Sequence, residues 1–258
     1  MQKGKHFFIQ IGSLTLCLLI GLVACTTALT PGEFELLLEE YPLQGPPDTD
    51  GLKFQPIDTT QEEVLAKHRE ERERSVSYQY GQTAVDLYPF LESQGTGPSL
   101  TGVLGTSPSN PIRQTIDLLQ GEELLFSVDA GLPSPALPLQ GLWTYDDHWV
   151  MEVLYAEEEI WQGRIYQDGQ LLNESLDYQD AFGFQLLAGK PFYFFQRENG
   201  LGYSYAGEEV ELPYDSIPHY MCCSAAALNP VPAENMVAFY AFTGDDWFYT
   251  ELGIFNQD

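Results

Sequence analysis

Hydrophobic and polar positions alternate over short runs through the second half of the chain, which predicts strands. Four pairs of aromatic-rich runs flank short acidic or glycine-containing turns. The turns are Asp146-Asp147, Asp168-Gly169, Glu198-Asn199-Gly200 and Gly244-Asp245. Because Asp-Gly and similar pairs between such runs favour tight hairpins, residues 112–258 are predicted to form a mainly β, antiparallel, hairpin-rich meander. The uneven spacing leaves a bent sheet, a sandwich and a partial propeller or barrel open.

One charged helix is predicted before this aromatic-rich domain. The run TTQEEVLAKHREERERS at residues 59–75 begins with a capping box, and its acids precede most of its bases, as the helix dipole favours. Residues 81–111 have no sustained period, so the range 58–111 is predicted to be that helix followed by a loop-rich segment. The many prolines and glycines of residues 25–57 predict a tether, although Phe34–Leu38 could instead form one helical turn or dock onto the body.

The start of the chain has the features of an export signal. Two lysines precede an uncharged, mostly apolar run over residues 7–24, the arrangement of a signal peptide. The sequence Leu-Val-Ala-Cys that ends at Cys25 resembles the lipobox of bacterial lipoproteins, in which the cysteine is lipidated and the leader, here residues 1–24, is removed. The resemblance implies a lipid-anchored, extracytoplasmic envelope protein and leaves inner and outer membrane open. An uncleaved membrane anchor and an ordinary secretory signal are the alternatives.

Charge narrows the choice of partners. The chain has 11 Lys and Arg against 38 Asp and Glu, a formal net charge of −27. Such a surface repels phosphate backbones, so we expect no nucleic-acid partner. The membrane, contacted through the lipid anchor, is the expected partner, together with a small-molecule, glycan or envelope-protein ligand.

Two adjacent cysteines, Cys222 and Cys223, remain after the leader is removed and Cys25 is lipidated. In an oxidising compartment three states are open to them: two buried free thiols, a vicinal disulfide between the two, or disulfides to other molecules. A candidate ligand patch precedes them and consists of His219, Tyr220 and Met221. Because neighbouring residues on a strand point to opposite faces, and because no HExxH or CxxC motif is present, we predict neither a metal site nor a cofactor.

Acidic side chains lie beside tryptophan at two of the predicted turns. These are Asp146, Asp147, Asp245 and Asp246. Acids with aromatics can form a glycosidase or sugar-binding cleft, although turns favour Asp without any function. Beyond residues 1–25 the sequence resembles no characterised family. It predicts a membrane-tethered ligand-binding or interaction module, with an exported hydrolase that uses these carboxylates and a structural envelope protein as alternatives.

Overall fold

The structure is a computed structural model that describes residues 36–46, 79–80, 89–158, 160–220, 229–232 and 235–254, all within one compact unit, Leu36–Asp258. Several predicted features lie outside the described residues. They are the signal peptide with Cys25, the charged helix at 59–75, and Met221, Cys222 and Cys223. No helix among the described residues has the length and apolar character needed to cross a membrane.

The described chain is mainly β, and its single described helix has five residues, which confirms the predicted fold class. The elements are β1 Leu37–Pro42, β2 Gln79–Tyr80, β3 Pro89–Glu92, β4 Gln94–Gly95, β5 Thr101–Thr106, β6 Gln114–Gln120, β7 Glu123–Gly131, β8 Leu139–Tyr145, β9 His148–Glu157, β10 Ile160–Gln167, β11 Gln170–Leu171, α1 Leu172–Leu176, β12 Asp180–Leu187, β13 Lys190–Arg197, β14 Gly200–Tyr205, β15 Glu208–Leu212, β16 Val231–Pro232, β17 Met236–Thr243 and β18 Asp246–Gly253.

These strands form three sheets. The large sheet has ten strands in the order β11-β10-β9-β7-β6-β5-β3-β2, with β8 paired to β9 and β4 paired to β8. The middle sheet has the order β12-β13-β14-β15, and the terminal sheet has the order β1-β18-β17-β16. All pairings are antiparallel except the short contacts β4–β8 and β7–β9.

The middle sheet is buried on both faces, which explains the uninterrupted aromatic run of β13. Successive side chains of a strand point to opposite faces. Phe192 and Phe194 belong to a core shared with β17 of the terminal sheet, whereas Tyr193 and Phe195 belong to a core shared with β8, β9 and β10 of the large sheet. The middle sheet therefore lies between the other two, and β13 needs apolar side chains at its four buried central positions, 192–195.

The tight turns predicted from the sequence are present. Asp146-Asp147 joins β8 to β9, Glu198-Asn199 joins β13 to β14, and Gly244-Asp245 joins β17 to β18. Asp168 and Gly169 both have positive φ, 51° and 83°, as a two-residue hairpin turn requires.

The strand that follows the turn at Asp168-Gly169 is shorter than the sequence pattern indicates. It ends after two residues, because Asn173 of α1 takes over part of the hydrogen bonding of β10. Its Oδ1 accepts from the Ile165 N–H at 3.1 Å, and its Nδ2 donates to the Gly163 carbonyl at 2.9 Å. A buried side-chain amide thus satisfies backbone groups that a longer β11 would otherwise pair.

Two ranges differ from the sequence-based description. Residues 37–42, within the predicted tether, form β1 and pair with β18 from Leu37↔Gly253 to Pro42↔Phe248. Within the predicted loop-rich segment, β5 pairs with β6. The glycines of β5 favour a loop when read from sequence, but Gly102 permits close packing, since a Cβ there would lie 2.6 Å from Leu139 Cδ2.

Candidate functional site

The segment after β15 carries His219 and Tyr220 into the junction of the three sheets. A pocket of about 380 Å³, which we call the Trp161 pocket, opens beside it. The pocket is lined by Trp161, Asp180, Ser216, Ile217, Pro218, His219 and Tyr220. Two of the three residues in the predicted ligand patch, His219 and Tyr220, are therefore described, and they lie in a concave site.

His219 is held rigidly. Its ring stacks on Phe182 with centroids 3.5 Å apart and an interplanar angle of 8°. Nδ1 lies 2.7 Å from the Ile217 carbonyl oxygen, and Nε2 lies 3.1 Å from Asp180 Oδ2. Both ring nitrogens thus face oxygen atoms of the protein itself. Neither nitrogen is therefore placed to take a proton from a nucleophile.

Asp180 joins the pocket to the large sheet. Its Oδ1 accepts from the Gly163 N–H of β10 at 2.7 Å, while Oδ2 faces His219. Glycine is needed on β10, because a Cβ on Gly163 would lie 2.4 Å from the Ala181 carbonyl oxygen and 2.9 Å from the Tyr220 hydroxyl. The close approach of β10 to β12 thus fixes this carboxylate at the pocket wall.

Trp161 gives the pocket an aromatic wall. It lies on β10 opposite Ala156 of β9 and is partly exposed. An indole beside a fixed carboxylate offers apolar area together with a directional hydrogen-bond acceptor. This combination suits a small polar molecule that has one apolar face.

A second, smaller pocket shares Tyr220 with the first. Its volume is about 50 Å³, and we call it the Glu152 pocket. The lining residues are Gln140, Trp143, Glu152, Gly183, Phe184, Tyr220, Asn229, Pro230, Pro232 and Val237. Tyr220 has a φ of 61°, a left-handed conformation that is uncommon for an aromatic residue and costs of order 1 kcal/mol or more.

Glu152 is the only acid among the described residues that line this smaller pocket, and it is 4% exposed. Its Oε1 accepts from the Gly183 N–H at 3.0 Å and from the Tyr220 hydroxyl, and its Oε2 accepts from the Phe184 N–H at 2.7 Å. The two N–H groups belong to a β-bulge in β12 at which Gly183 has a φ of 68°. Burial raises the pKa of Glu152, and the three hydrogen bonds oppose that rise.

Asn229 fixes the segment that precedes Tyr220. Its Nδ2 donates to the Pro218 carbonyl at 2.7 Å and to the Tyr240 carbonyl at 2.9 Å, and its Oδ1 accepts from the Tyr240 N–H at 2.8 Å. The segment is thereby attached to β17. Its carbonyl and ring atoms are preorganised around both pockets.

The carboxylates proposed for a hydrolase occupy different places. Asp146 and Asp147 are exposed in the β8–β9 turn of the large sheet, whereas Asp245 and Asp246 are exposed at the β17–β18 turn of the terminal sheet. None of them lines either pocket. Within the described part of the chain, no group of three or more His, Cys, Asp or Glu is arranged to hold a metal ion.

Three site residues were missed by sequence reasoning. Glu152 interrupts the apolar run WVMEVLY of β9, and a lone acid in such a run is a usable signal of a buried carboxylate. Trp161 and Asp180 have no comparable signal, since the packing of β10 against β12 brings them to His219. No protein-family model and no curated protein sequence matches this chain.

Proposed function

We propose that this chain is a lipid-anchored, exported protein whose β body binds a small polar ligand in the Trp161 pocket, with glycan fragments as the leading class. The observation that carries the ligand site is the 380 Å³ pocket with Trp161 beside the fixed carboxylate of Asp180. The lipid anchor and the extracytoplasmic location rest on the lipobox that ends at Cys25.

Binding is favoured over hydrolysis by the arrangement around His219. Both ring nitrogens face acceptors within the protein, the Ile217 carbonyl and the Asp180 carboxylate. A general base needs a nitrogen within reach of the proton that it removes. The pocket therefore has the rigidity and the mixed apolar and polar wall of a recognition site, without a histidine that is free to act on a nucleophile.

The test is a titration of the full-length protein in detergent micelles with neutral mono- and disaccharides. Tryptophan fluorescence and the thermal midpoint report binding. We expect at least one sugar to shift both the fluorescence and the thermal midpoint. Trp161→Ala should lower the affinity for that sugar about tenfold or more, since an aromatic wall supplies much of the contact area. Trp247→Ala is the matched control, because Trp247 packs against the outer core of the terminal sheet and does not line the pocket.

The outcomes separate cleanly. A sugar whose affinity falls in Trp161→Ala and not in Trp247→Ala supports the proposal. Sugars that leave fluorescence and thermal midpoint unchanged, or that bind Trp161→Ala as tightly as the parent protein, overturn it for this ligand class.

A further inference from the structure

The Glu152 pocket holds a buried carboxylate whose hydrogen-bond donors are all neutral. They are the Gly183 N–H, the Phe184 N–H and the Tyr220 hydroxyl. No ion pair joins Glu152 to any residue of the described chain. Buried charges in proteins are ordinarily paired with an opposite charge, and none of the described residues gives this carboxylate such a partner.

His219 does not fill that role. It acts on Glu152 through a charge interaction, and its ring nitrogens face Ile217 and Asp180. Both oxygens of Glu152 accept from backbone N–H groups, an arrangement that fits the ionised form. A countercharge in this pocket would therefore come from beyond the described residues, and a bound cation is one that fits.

We propose that the Glu152 pocket binds the primary ammonium group of an amine-bearing ligand, with Glu152 as its counterion. An ionised carboxylate has about four acceptor positions, and three are occupied here, so one remains for an ammonium N–H. Trp143 and Phe184 line the same pocket, and aromatic faces attract cations.

The size of the pocket limits the cation. Its volume is about 50 Å³, and on the same measure a cavity needs roughly 10–15 Å³ to hold one water. A primary ammonium or methylammonium group fits, whereas a quaternary ammonium group is too large. Tyr220 lines both pockets, which are therefore adjacent. We expect the body of a longer amine to reach the Trp161 pocket past this side chain, and this second part of the inference rests on the proposed function.

The first experiment uses methylammonium chloride, which fits the Glu152 pocket alone. The thermal midpoint of the full-length protein in detergent is measured against methylammonium, with potassium chloride at equal ionic strength as the reference and tetramethylammonium chloride as the size control. We expect stabilisation by methylammonium only. Equal effects of methylammonium and potassium, or of methylammonium and tetramethylammonium, overturn the inference.

Two substitutions localise the site. Glu152→Gln should lower the affinity for methylammonium at least tenfold. Glu174→Gln, at an exposed glutamate of α1, should leave the affinity for methylammonium unchanged. Tyr220→Phe removes one competing donor from the carboxylate and should tighten methylammonium about fivefold, the equivalent of one ordinary hydrogen bond. If Glu152→Gln fails to fold, unchanged or weaker binding by Tyr220→Phe still refutes the inference.

Glucosamine separates the two proposals, because its ring would occupy the Trp161 pocket. Trp161→Ala should lower the affinity for glucosamine and leave the affinity for methylammonium unchanged. Methylammonium binding without sugar binding would support the ammonium site in the Glu152 pocket and overturn the ligand site in the Trp161 pocket. Sugar binding without methylammonium binding would support the Trp161 pocket as a ligand site and overturn the ammonium site.

Discussion

The side chain of Gln185 should lower the free energy of unfolding of the protein. Its side chain is buried in β12, with 5% of the residue exposed, and neither Nε2 nor Oε1 has a hydrogen-bond partner among the described residues. Gln185 lies directly opposite Phe192 across the β12–β13 ladder, and paired residues share a face of the sheet. The amide therefore points into the aromatic core between the middle and terminal sheets.

Replacing this amide with an apolar side chain of similar size should raise stability. A buried polar group without a partner costs about 1–3 kcal/mol, and Gln185→Leu removes that cost while it keeps most of the side-chain volume. For a body of this size, about 1 kcal/mol corresponds to about 2–4 °C in the thermal midpoint. We therefore expect the free energy of unfolding in urea to rise by about 1–3 kcal/mol and the thermal midpoint by several degrees.

Two further variants separate desolvation from a general effect of added hydrophobicity. Gln170→Leu, at an exposed position of β11, should change the free energy of unfolding by no more than about 0.5 kcal/mol. Gln185→Glu should be strongly destabilising, because it buries a charge in the same core. If Gln185→Leu is less stable than the parent protein, the amide has an essential partner and the reasoning from burial fails.

Three other expectations concern the N-terminal strand and the cysteines. Glu39 lies opposite Glu251 across β1 and β18, and burial, assisted by the charge of Glu39, raises the pKa of Glu251 above 4.5. The folded state thus binds the Glu251 proton more tightly than the unfolded state does, so the free energy of unfolding falls as the pH rises above 4.5. Glu39→Gln should make this fall smaller, which urea titrations over a pH series can measure. Cys25→Ser should move the protein from the detergent phase to the aqueous phase in a phase-partition assay. If Cys222 and Cys223 form a vicinal disulfide, the intact mass of the monomer should increase by two hydrogens on reduction; an unchanged mass would show free thiols.

The fold class was predictable because its signals are local. Turn residues such as Asp168-Gly169 need only their own backbone conformation to form a hairpin. The strand β5 was missed because the reason for Gly102 is not local: it makes room for Leu139, 37 residues further along the chain. A glycine selected for close packing has the same sequence appearance as a glycine selected for a turn.

The candidate site was only partly predictable for the same reason. His219 and Tyr220 were singled out by their proximity to two cysteines, but the pocket depends on Trp161 and Asp180, which reach them through tertiary structure. The paired turn acids were conspicuous in the sequence, yet they lie in turns of two different sheets. Local clustering of chemical groups along the chain was therefore a weaker guide than a lone acid in the apolar run of β9.

The carboxylates that shape the site also join the sheets. Asp180 accepts from the Gly163 N–H of β10, and Glu152 of β9 accepts from the N–H groups of the β12 bulge. These side-chain acceptors contribute contacts between the middle and large sheets where no backbone ladder connects them. Changes at either acid should therefore alter folding and binding together, because each removes a buried acceptor from backbone donors. Trp161→Ala leaves both of these carboxylates in place, so it gives the cleaner measure of ligand binding.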